Sequence, residues 1–265
     1  MAESQQMEQS LQVVMEHEVV QAQLSEMLDG DLMKSFRENM APIRALMSRY
    51  RCAMMEVETK FKVLNEQFSL EHDRNRIESI KTRLKSMDSI LEKLHRRKLP
   101  ITLSSMEENL NDVAGVRVIC SFVDDIYVLV DCLLRQDDVT LLQVKDYIKH
   151  PKANGYRSLH LIISIPIFLQ EETHYMKVEV QLRTIAMDFW ASLEHKIYYK
   201  FEGDAPDYIS RDLRECAEMV STLDEKMLSL NEAIQECLEK QEELNMSTKT
   251  KESNREDQRV LQGLD

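Results

Sequence analysis

In the stretch Tyr175–Arg183, reading YMKVEVQLR, four polar side chains alternate with three apolar ones. A strand's period of two puts Val178, Val180 and Leu182 on one face and Lys177, Glu179, Gln181 and Arg183 on the other. One face is core; the other is a row of an ammonium, a carboxylate, an amide and a guanidinium. Upstream, HPKANGYRSLHLIISIPIF offers a second strand, in which Tyr156, Ser158 and His160 share a face if the strand is regular, with Leu159 and Leu161 opposite. Asn154 and Gly155 supply a tight turn into it, and Lys152 stands just before that turn as a candidate phosphate contact. Polar residues on an open strand face are most often simply solvated. Here two such rows, side by side, would offer a ring, an imidazole, a carboxylate, an amide and a guanidinium to one concave surface.

Charge sharpens the reading. The chain of 265 residues has a net charge of −13, but the acids are concentrated at its ends. Residues 1–31 hold seven acids and no Lys or Arg, and sixteen acids face eight bases from Gly203 onward. Arg74–Lys98 is the opposite, with nine bases against three acids. A basic segment beside a carboxylate-bearing strand is what a metal-nucleotide site requires, although such runs are also often solvated helix faces. With only five glycines, neither a P-loop nor a GxGxxG turn can be built, so a phosphate must be held by side chains. The absence of HExxH and GxSxG removes the usual zinc peptidase and serine hydrolase chemistries. Five scattered cysteines without a CxxC pair suggest neither a disulfide framework nor a zinc site.

These residues need a support. A hydrophobic content of 43% suits a globular core plus helical extensions. Residues 1–40 read as an acidic helical extension whose helix ends near Gly30. A helix over 41–68 has Pro42 near its start and Ile43, Leu46, Met47, Tyr50, Met54, Val57, Phe61 and Leu64 on one side. A helix from about Ser86 to Lys98 carries Ser89 in its first turn, exposes Lys93 and Arg96 on one face, and stops at Pro100. NDVAGVRVICSF (Asn111–Phe122) reads as a strand with Val116, Val118 and Cys120 inward and Arg117 facing the other way. Asp112, at its entry, is either a turn former or a metal ligand. A helix over Asp124–Arg135 and a strand TLLQVKDYI follow. After the YMKVEVQLR strand, Ile185, Phe189, Leu193 and Ile197 have the spacing of a packed helix face. One early helical connection and later short turns predict an α+β fold, a mixed sheet flanked by helices. At the C-terminus, Cys216, Val220, Leu223, Met227, Leu230, Ile234 and Cys237 step by alternating fours and threes, so 203–245 reads as a helix that packs on another helix of the same chain or of a neighbouring subunit. Residues 246–265 are too polar to order themselves.

In these motifs the chain resembles the small alarmone synthetases, stand-alone relatives of the synthetase domain of RelA/SpoT enzymes. The resemblance rests on RLKSMDSILEK, DVAGVRVIC with SFVDDIY behind it, DYIKHPKANGYRSLH and VEVQLRTIAMDFWASLEHKIYYK, in that order, and covers about residues 45–240, with the synthetase domain itself over 41–202. It implies a mixed sheet of about five strands with helices around it, commonly a homotetramer. The implied reaction moves the β,γ-pyrophosphoryl group of ATP to the 3′-hydroxyl of GDP or GTP, making (p)ppGpp, the signal of the stringent response. Carried over by position, Asp112 matches the magnesium-binding aspartate, and Glu179 the glutamate that helps at Mg²⁺ and activates the 3′-hydroxyl. Arg83 and Arg117 match the adenine-sandwiching arginines, and Lys85, Ser89, Lys93 and Arg96 the ATP phosphate contacts. Tyr156 matches the guanine-stacking tyrosine, with Lys145, Lys152, His160, Gln181, Arg183 and Asp188 on the acceptor side. Asp188 stands where several relatives have Asn, and Lys145 where some have Arg. His72-Asp73 is similar to the HD pair of the hydrolase domain in longer relatives, but the roughly 70 residues before it cannot house that domain, so synthesis without hydrolysis is expected.

Two other readings stay open on the sequence. In one, the donor is kept but the acceptor is an adenosine nucleotide or the 3′ end of tRNA; in the other, the fold is a catalytically silent regulator that binds RNA or nucleotide. Retention of Asp112, Glu179, Arg83 and Tyr156 together argues against the silent form. Single-stranded RNA is a further candidate partner, DNA and membranes are not, and the expected location is the cytoplasm: no apolar run approaches the ~20 residues of a membrane span.

Overall fold

The computed structural model describes residues 40–70, 75–199 and 206–262. The acidic extension and the His72-Asp73 pair therefore lie outside the described residues, except that helix α1 begins at residue 40 and runs to 70. Its apolar stripe folds as expected: Leu46, Tyr50, Met54, Val57, Phe61 and Leu64 are all buried. The chain then forms β1 (Ile77–Leu84), α2 (Met87–Arg96), α3 (Leu103–Asn109), β2 (Ala114–Cys120), α4 (Val123–Leu134), β3 (Thr140–Asp146), β4 (Leu159–Phe168), β5 (Thr173–Thr184), α5 (Ile185–Tyr199) and α6 (Asp207–Gln262). The five strands make one sheet in the order β1-β2-β5-β4-β3, with β2 and β5 parallel and every other neighbouring pair antiparallel.

Alternation separates the faces. Val116, Val118 and Cys120 of β2, Leu161 and Ile163 of β4, and Val178, Val180 and Leu182 of β5 join the α1 stripe and Ile126, Leu129 and Leu133 of α4 in one core. The registers Lys81↔Arg117↔Gln181↔His160↔Lys145 place one polar residue from each strand in a single row across the other face. Residues opposite one another in a sheet share a face, so five segments spread between Lys81 and Gln181 of the sequence are brought into one line. Pro166 is accommodated in β4 because β3 pairs only with Leu159–Ser164, leaving the proline beyond that ladder.

Three sequence expectations are corrected. Ile185, Phe189, Leu193 and Ile197 of α5 are exposed, and Met187, Trp190 and Ala191 are buried instead. The helix is apolar on more than one side, so spacing alone selects the wrong row; Thr184 fixes the choice by accepting from the Met187 amide through Oγ1, setting the helix at its junction with β5. On α6 the packed positions are Leu213, Ala217 and Asp224 with half-buried Val220, while Cys216, Leu223, Met227, Leu230, Ile234 and Cys237 are exposed. Apart from Val220, the alternating row is therefore not packed among the described residues. Finally, α6 continues to Gln262, through the segment read as unable to order itself; an α-helix satisfies its own backbone, so polarity removes the packing partner without removing the helix.

Candidate active site

The site lies on the polar face of the sheet. Its floor is a cavity of about 380 Å³ lined by Arg83 of β1, Lys85 and Asp112 of the adjoining loops, Arg117 of β2, and Glu179 and Gln181 of β5. Gly115 lies between Arg83 and Glu179 in register and also lines the cavity. The missing side chain leaves the floor open: a Cβ there would come no closer than 3.5 Å to protein, so it would occupy cavity rather than clash.

Asp112 enters the cavity just before β2. Its Oδ2 accepts from Lys85 Nζ at 2.7 Å and Lys93 Nζ at 2.5 Å, and Oδ1 is buried without a hydrogen-bond partner. Burial pushes the carboxyl pKa up, but the two ammonium groups outweigh it and hold the group below its usual range. Glu179 Oε2 accepts from Gln181 Nε2 at 2.9 Å, and Oε1 lies 3.5 Å from His160 Nδ1. Burial again pushes upward, His160 and Gln181 prevail, and the pKa falls below the usual value although the Asp112 charge opposes it. The two carboxylates thus share a cavity and feel one another.

From Glu179 a chain of contacts leads to the aromatic side. Tyr156 Oη lies 2.8 Å from His160 Nε2 and accepts from Arg183 Nη2 at 2.8 Å. Because a guanidinium only donates, the phenol hydrogen is available to Nε2, which leaves Nδ1–H directed at Glu179; this tautomer is assigned from the donor inventory. The Lys152 ammonium lies 4.7 Å from the ring centroids of both Tyr147 and Tyr156. Tyr147 also meets His160 edge-on at 5.3 Å. Lys145, exposed on β3, faces His160 in register.

Asp188 stands in the first turn of α5. It is only 8% exposed, and its oxygens receive Lys81 at 3.2 Å, Arg117 at 3.4 Å and Arg183 at 3.0 Å. Burial raises its pKa and these cations lower it further than burial raises it. It thereby ties an arginine of the cavity floor to one of the aromatic side. Ser89 is half-buried near the start of α2, hydrogen-bonded to the capping Ser86, and Arg96 is exposed on the same helix; neither lines the cavity.

Ser158 is the residue misplaced by the sequence reading. Regular pairing starts only at Leu159, and Ser158 is fully buried, donating to the Leu182 carbonyl at 3.0 Å. Tyr156 nevertheless meets His160, from the preceding loop rather than from the strand. Lys81 and Tyr147 are site residues that sequence reasoning missed. Lys81 belongs to β1, where a bulge between Ile77 and Ser79 breaks the alternation that would have revealed a strand. Tyr147 follows the last residue of β3 and carries no spacing signal.

The loop bearing Lys152 and Tyr156 is braced from behind. Gly155 has φ +87°, and a Cβ there would lie 2.6 Å from Ala217 Cβ of α6. Asn154 Nδ2 donates to Glu194 of α5 at 3.1 Å, Arg214 Nη2 donates to the Ala153 carbonyl, and Trp190 Nε1 donates to the Leu213 carbonyl at 2.9 Å. Among the described residues, no group of three or more His, Cys, Asp or Glu side chains is gathered around a metal position, and no helix is long and apolar enough to cross a membrane.

Residues 82–204 match the family model described as the region found in RelA / SpoT proteins. GTP pyrophosphokinase YwaC of Bacillus subtilis is 49% identical over 185 residues, covering 70% of this chain and 88% of that one. The crystal structure of small alarmone synthetase 2 from Bacillus subtilis superposes with a TM-score of 0.66 at 45% identity, covering 72% of this chain and 98% of the other. Small alarmone synthetase 1 from the same organism, bound to its product pppGpp, gives a TM-score of 0.66 at 35% identity over 76% of this chain and 99% of that one. The matches run along nearly the whole length of these relatives, and the chain belongs to the small alarmone synthetases, GTP pyrophosphokinases of the RelA/SpoT type.

Proposed function

We propose that the protein moves the β,γ-pyrophosphoryl group of ATP to the 3′-hydroxyl of GDP or GTP, making (p)ppGpp, and does not hydrolyse it. The observation that carries this reading is the convergence of Asp112 and Glu179 on one cavity, with Arg83 and Arg117 on one side and Tyr156, His160 and Arg183 on the other. Stacking of adenine on the arginines and of guanine on Tyr156 would bring the two nucleotides together above the carboxylates. Lys85 and Lys93, with Ser89 and Arg96 further along α2, supply the donor phosphates with cations and a hydroxyl.

The 3′ oxygen attacks the β-phosphorus, a new O–P bond forms, the bond from that phosphorus to the α–β bridging oxygen breaks, and AMP leaves. Glu179 accepts the hydroxyl proton. Its depressed pKa makes it ionised at neutral pH, so its contribution is positioning and negative charge more than high basicity. His160, held by Tyr156, fixes the carboxylate, which links acceptor binding to the reacting group.

Mg²⁺ fits this donor set. The buried Asp112 Oδ1 has no hydrogen-bond partner, Glu179 shares its cavity, and Mg²⁺ is usually bound through one or two carboxylates plus substrate phosphates. When bound, the ion neutralises charge on the transferring phosphates. Asp112 and Glu179 would hold it, and Lys85 and Lys93 would be released from Asp112 toward the phosphates.

We further infer a homotetramer whose subunits meet through the apolar rows of α5 and α6, which are exposed among the described residues. The deciding experiment for the reaction mixes purified protein, Mg²⁺ and ATP labelled on its γ-phosphate with GMP, GDP, GTP, ADP or tRNA separately. Label should appear on GDP or GTP. Label confined to ADP or tRNA would establish a different acceptor, and no transfer to any of them would leave a nucleotide-binding regulator.

A further inference from the structure

Two guanidinium groups, one from the cavity floor and one from the aromatic side, lean on a single oxygen atom. Asp188 Oδ1 accepts from Arg183 Nη1 at 3.0 Å and from Arg117 Nη1 at 3.4 Å, while Lys81 Nζ holds Oδ2 at 3.2 Å. The Arg117 contact is the longest of the three and lies beyond the ordinary range of an N–H···O hydrogen bond. The Nε atoms of both arginines are buried without a hydrogen-bond partner among the described residues, which leaves the hold on each to its terminal nitrogens. Burial, and then the charge of Arg183, lower the Arg117 pKa from its ordinary value, and Asp188 opposes them. One carboxylate oxygen is thus shared by two cations that repel each other. Beyond that oxygen the arginines part. Arg117 lines the cavity floor with Arg83, whereas Arg183 Nη2 donates to Tyr156 Oη at 2.8 Å, and Tyr156 meets His160, which faces Glu179.

We propose that Asp188 is a positioning residue that couples the two nucleotide sites, passing Oδ1 from Arg117 to Arg183 when the donor base binds and thereby fixing Tyr156 for the acceptor. The inference rests on the reading above, in which adenine stacks on Arg83 and Arg117 and guanine on Tyr156. A guanidinium laid flat against a base gives up an in-plane contact that is already long, and Arg117 has the long one. Oδ1 then serves Arg183 alone, in a charge-assisted hydrogen bond with no competing donor. Arg183, held by the carboxylate through Nη1 and by the phenol through Nη2, fixes Tyr156, and with it His160 beside Glu179. Lys81, on Oδ2, keeps the carboxylate in place while Oδ1 changes partner. Two discrete arrangements of one carboxylate, biased by both ligands, are what a coupling free energy between sites requires. Asparagine would keep an acceptor oxygen but lose the charge that makes the contact strong.

The test is calorimetric titration of GDP into the full chain with Mg²⁺, without and with a saturating, non-transferable ATP analogue. Wild type should bind GDP about tenfold more tightly when the analogue is present, and linkage requires the analogue to gain the same factor from GDP. Asp188→Asn should bring that factor below about threefold, because a neutral hydrogen bond has roughly half the strength of a charge-assisted one. Equal GDP affinity of wild type with and without the analogue would overturn the proposal. So would an Asp188→Asn protein that loses affinity for both nucleotides yet keeps the wild-type factor, the result expected of a merely structural carboxylate. A thermal melt checks that the variant is folded, and Asp188→Ser replaces it if the amide unfolds the chain. Label transfer from ATP to GDP, read in parallel, separates this proposal from the reaction. Transfer with no coupling refutes the role of Asp188 and leaves the reaction standing, whereas coupling lost in Asp188→Asn but no transfer in wild type refutes the reaction and leaves the role of Asp188 standing.

Discussion

Two carboxylates with unlike partners divide the work of the cavity. Asp112 is held by two lysines and keeps one buried oxygen open; Glu179 is held by an imidazole and an amide. Glu179→Gln should leave nucleotide binding largely in place while transfer falls by about two to four orders of magnitude, the usual worth of a positioned proton acceptor. Single-turnover transfer alongside binding calorimetry reads both, and unchanged turnover removes Glu179 from its role. Both pKa values are lowered from the ordinary carboxylate range despite burial, Asp112 by its two lysines and Glu179 by His160 and Gln181, so both groups are ionised at neutral pH. Their ionised forms stabilise the fold above that range, and this contribution is lost as pH falls through the depressed values. The acid limb of kcat/KM should accordingly lie on the acid side of an ordinary carboxylate titration wherever these groups control it. Lys93→Met removes one of the two cations from Asp112 and should move that limb upward; a pH profile that does not move would show that Lys93 leaves the charge state of Asp112 unaltered.

The elements that hold these residues were readable in the sequence to differing degrees. Where one face was buried and the other polar, as in β2 and β5, alternation was sufficient, and Glu179, Gln181, Arg183 and Arg117 fell on the side where they are found. In β1 the bulge leaves Ile77, Ile80 and Leu84 three and four apart, a spacing that does not look like a strand, so Lys81 and Arg83 had no element to stand on. In α5 and α6 apolar residues occur on two sides, and only the junction at Thr184 and the contacts of Trp190 and Ala217 decide which side turns inward. The close approach of Gly155 to Ala217 makes one residue a test of the loop's bracing. Gly155→Ala should cost about 1–2 kcal/mol from its left-handed backbone alone, more with the clash, and should raise the KM for the acceptor more than that for ATP. Asp224 accepts from Thr184 Oγ1 at 2.5 Å, and its pKa is raised by burial, which the Thr184 hydrogen bond only partly offsets. Its ionised form therefore costs stability increasingly as pH rises above the ordinary carboxylate range. Asp224→Asn should raise the melting temperature at pH 7, and the gain should shrink toward pH 4; a gain equal at both pH values would place its cause elsewhere.

At the scale of the molecule, α5 and α6 carry apolar rows that are exposed among the described residues. Leu223, Met227, Leu230 and Ile234 repeat along one side of α6, the periodicity with which helices pair. A Leu223→Asp, Leu230→Asp double variant should sediment as a smaller species than wild type if that row joins subunits, and an unchanged sedimentation coefficient would exclude it. The two walls of the cavity are also mounted differently. Arg83 stands on β1, an outermost strand supported by β2 alone, whereas Glu179 and His160 stand on β5 and β4, each flanked by strands on both sides. The donor wall is thus the compliant one and the acceptor wall the rigid one. Deuterium uptake in the bare protein should be faster in β1 than in β5, and ATP should slow it in β1 far more than GDP slows it in β5, so that one nucleotide tightens its own berth and the other enters a berth already made.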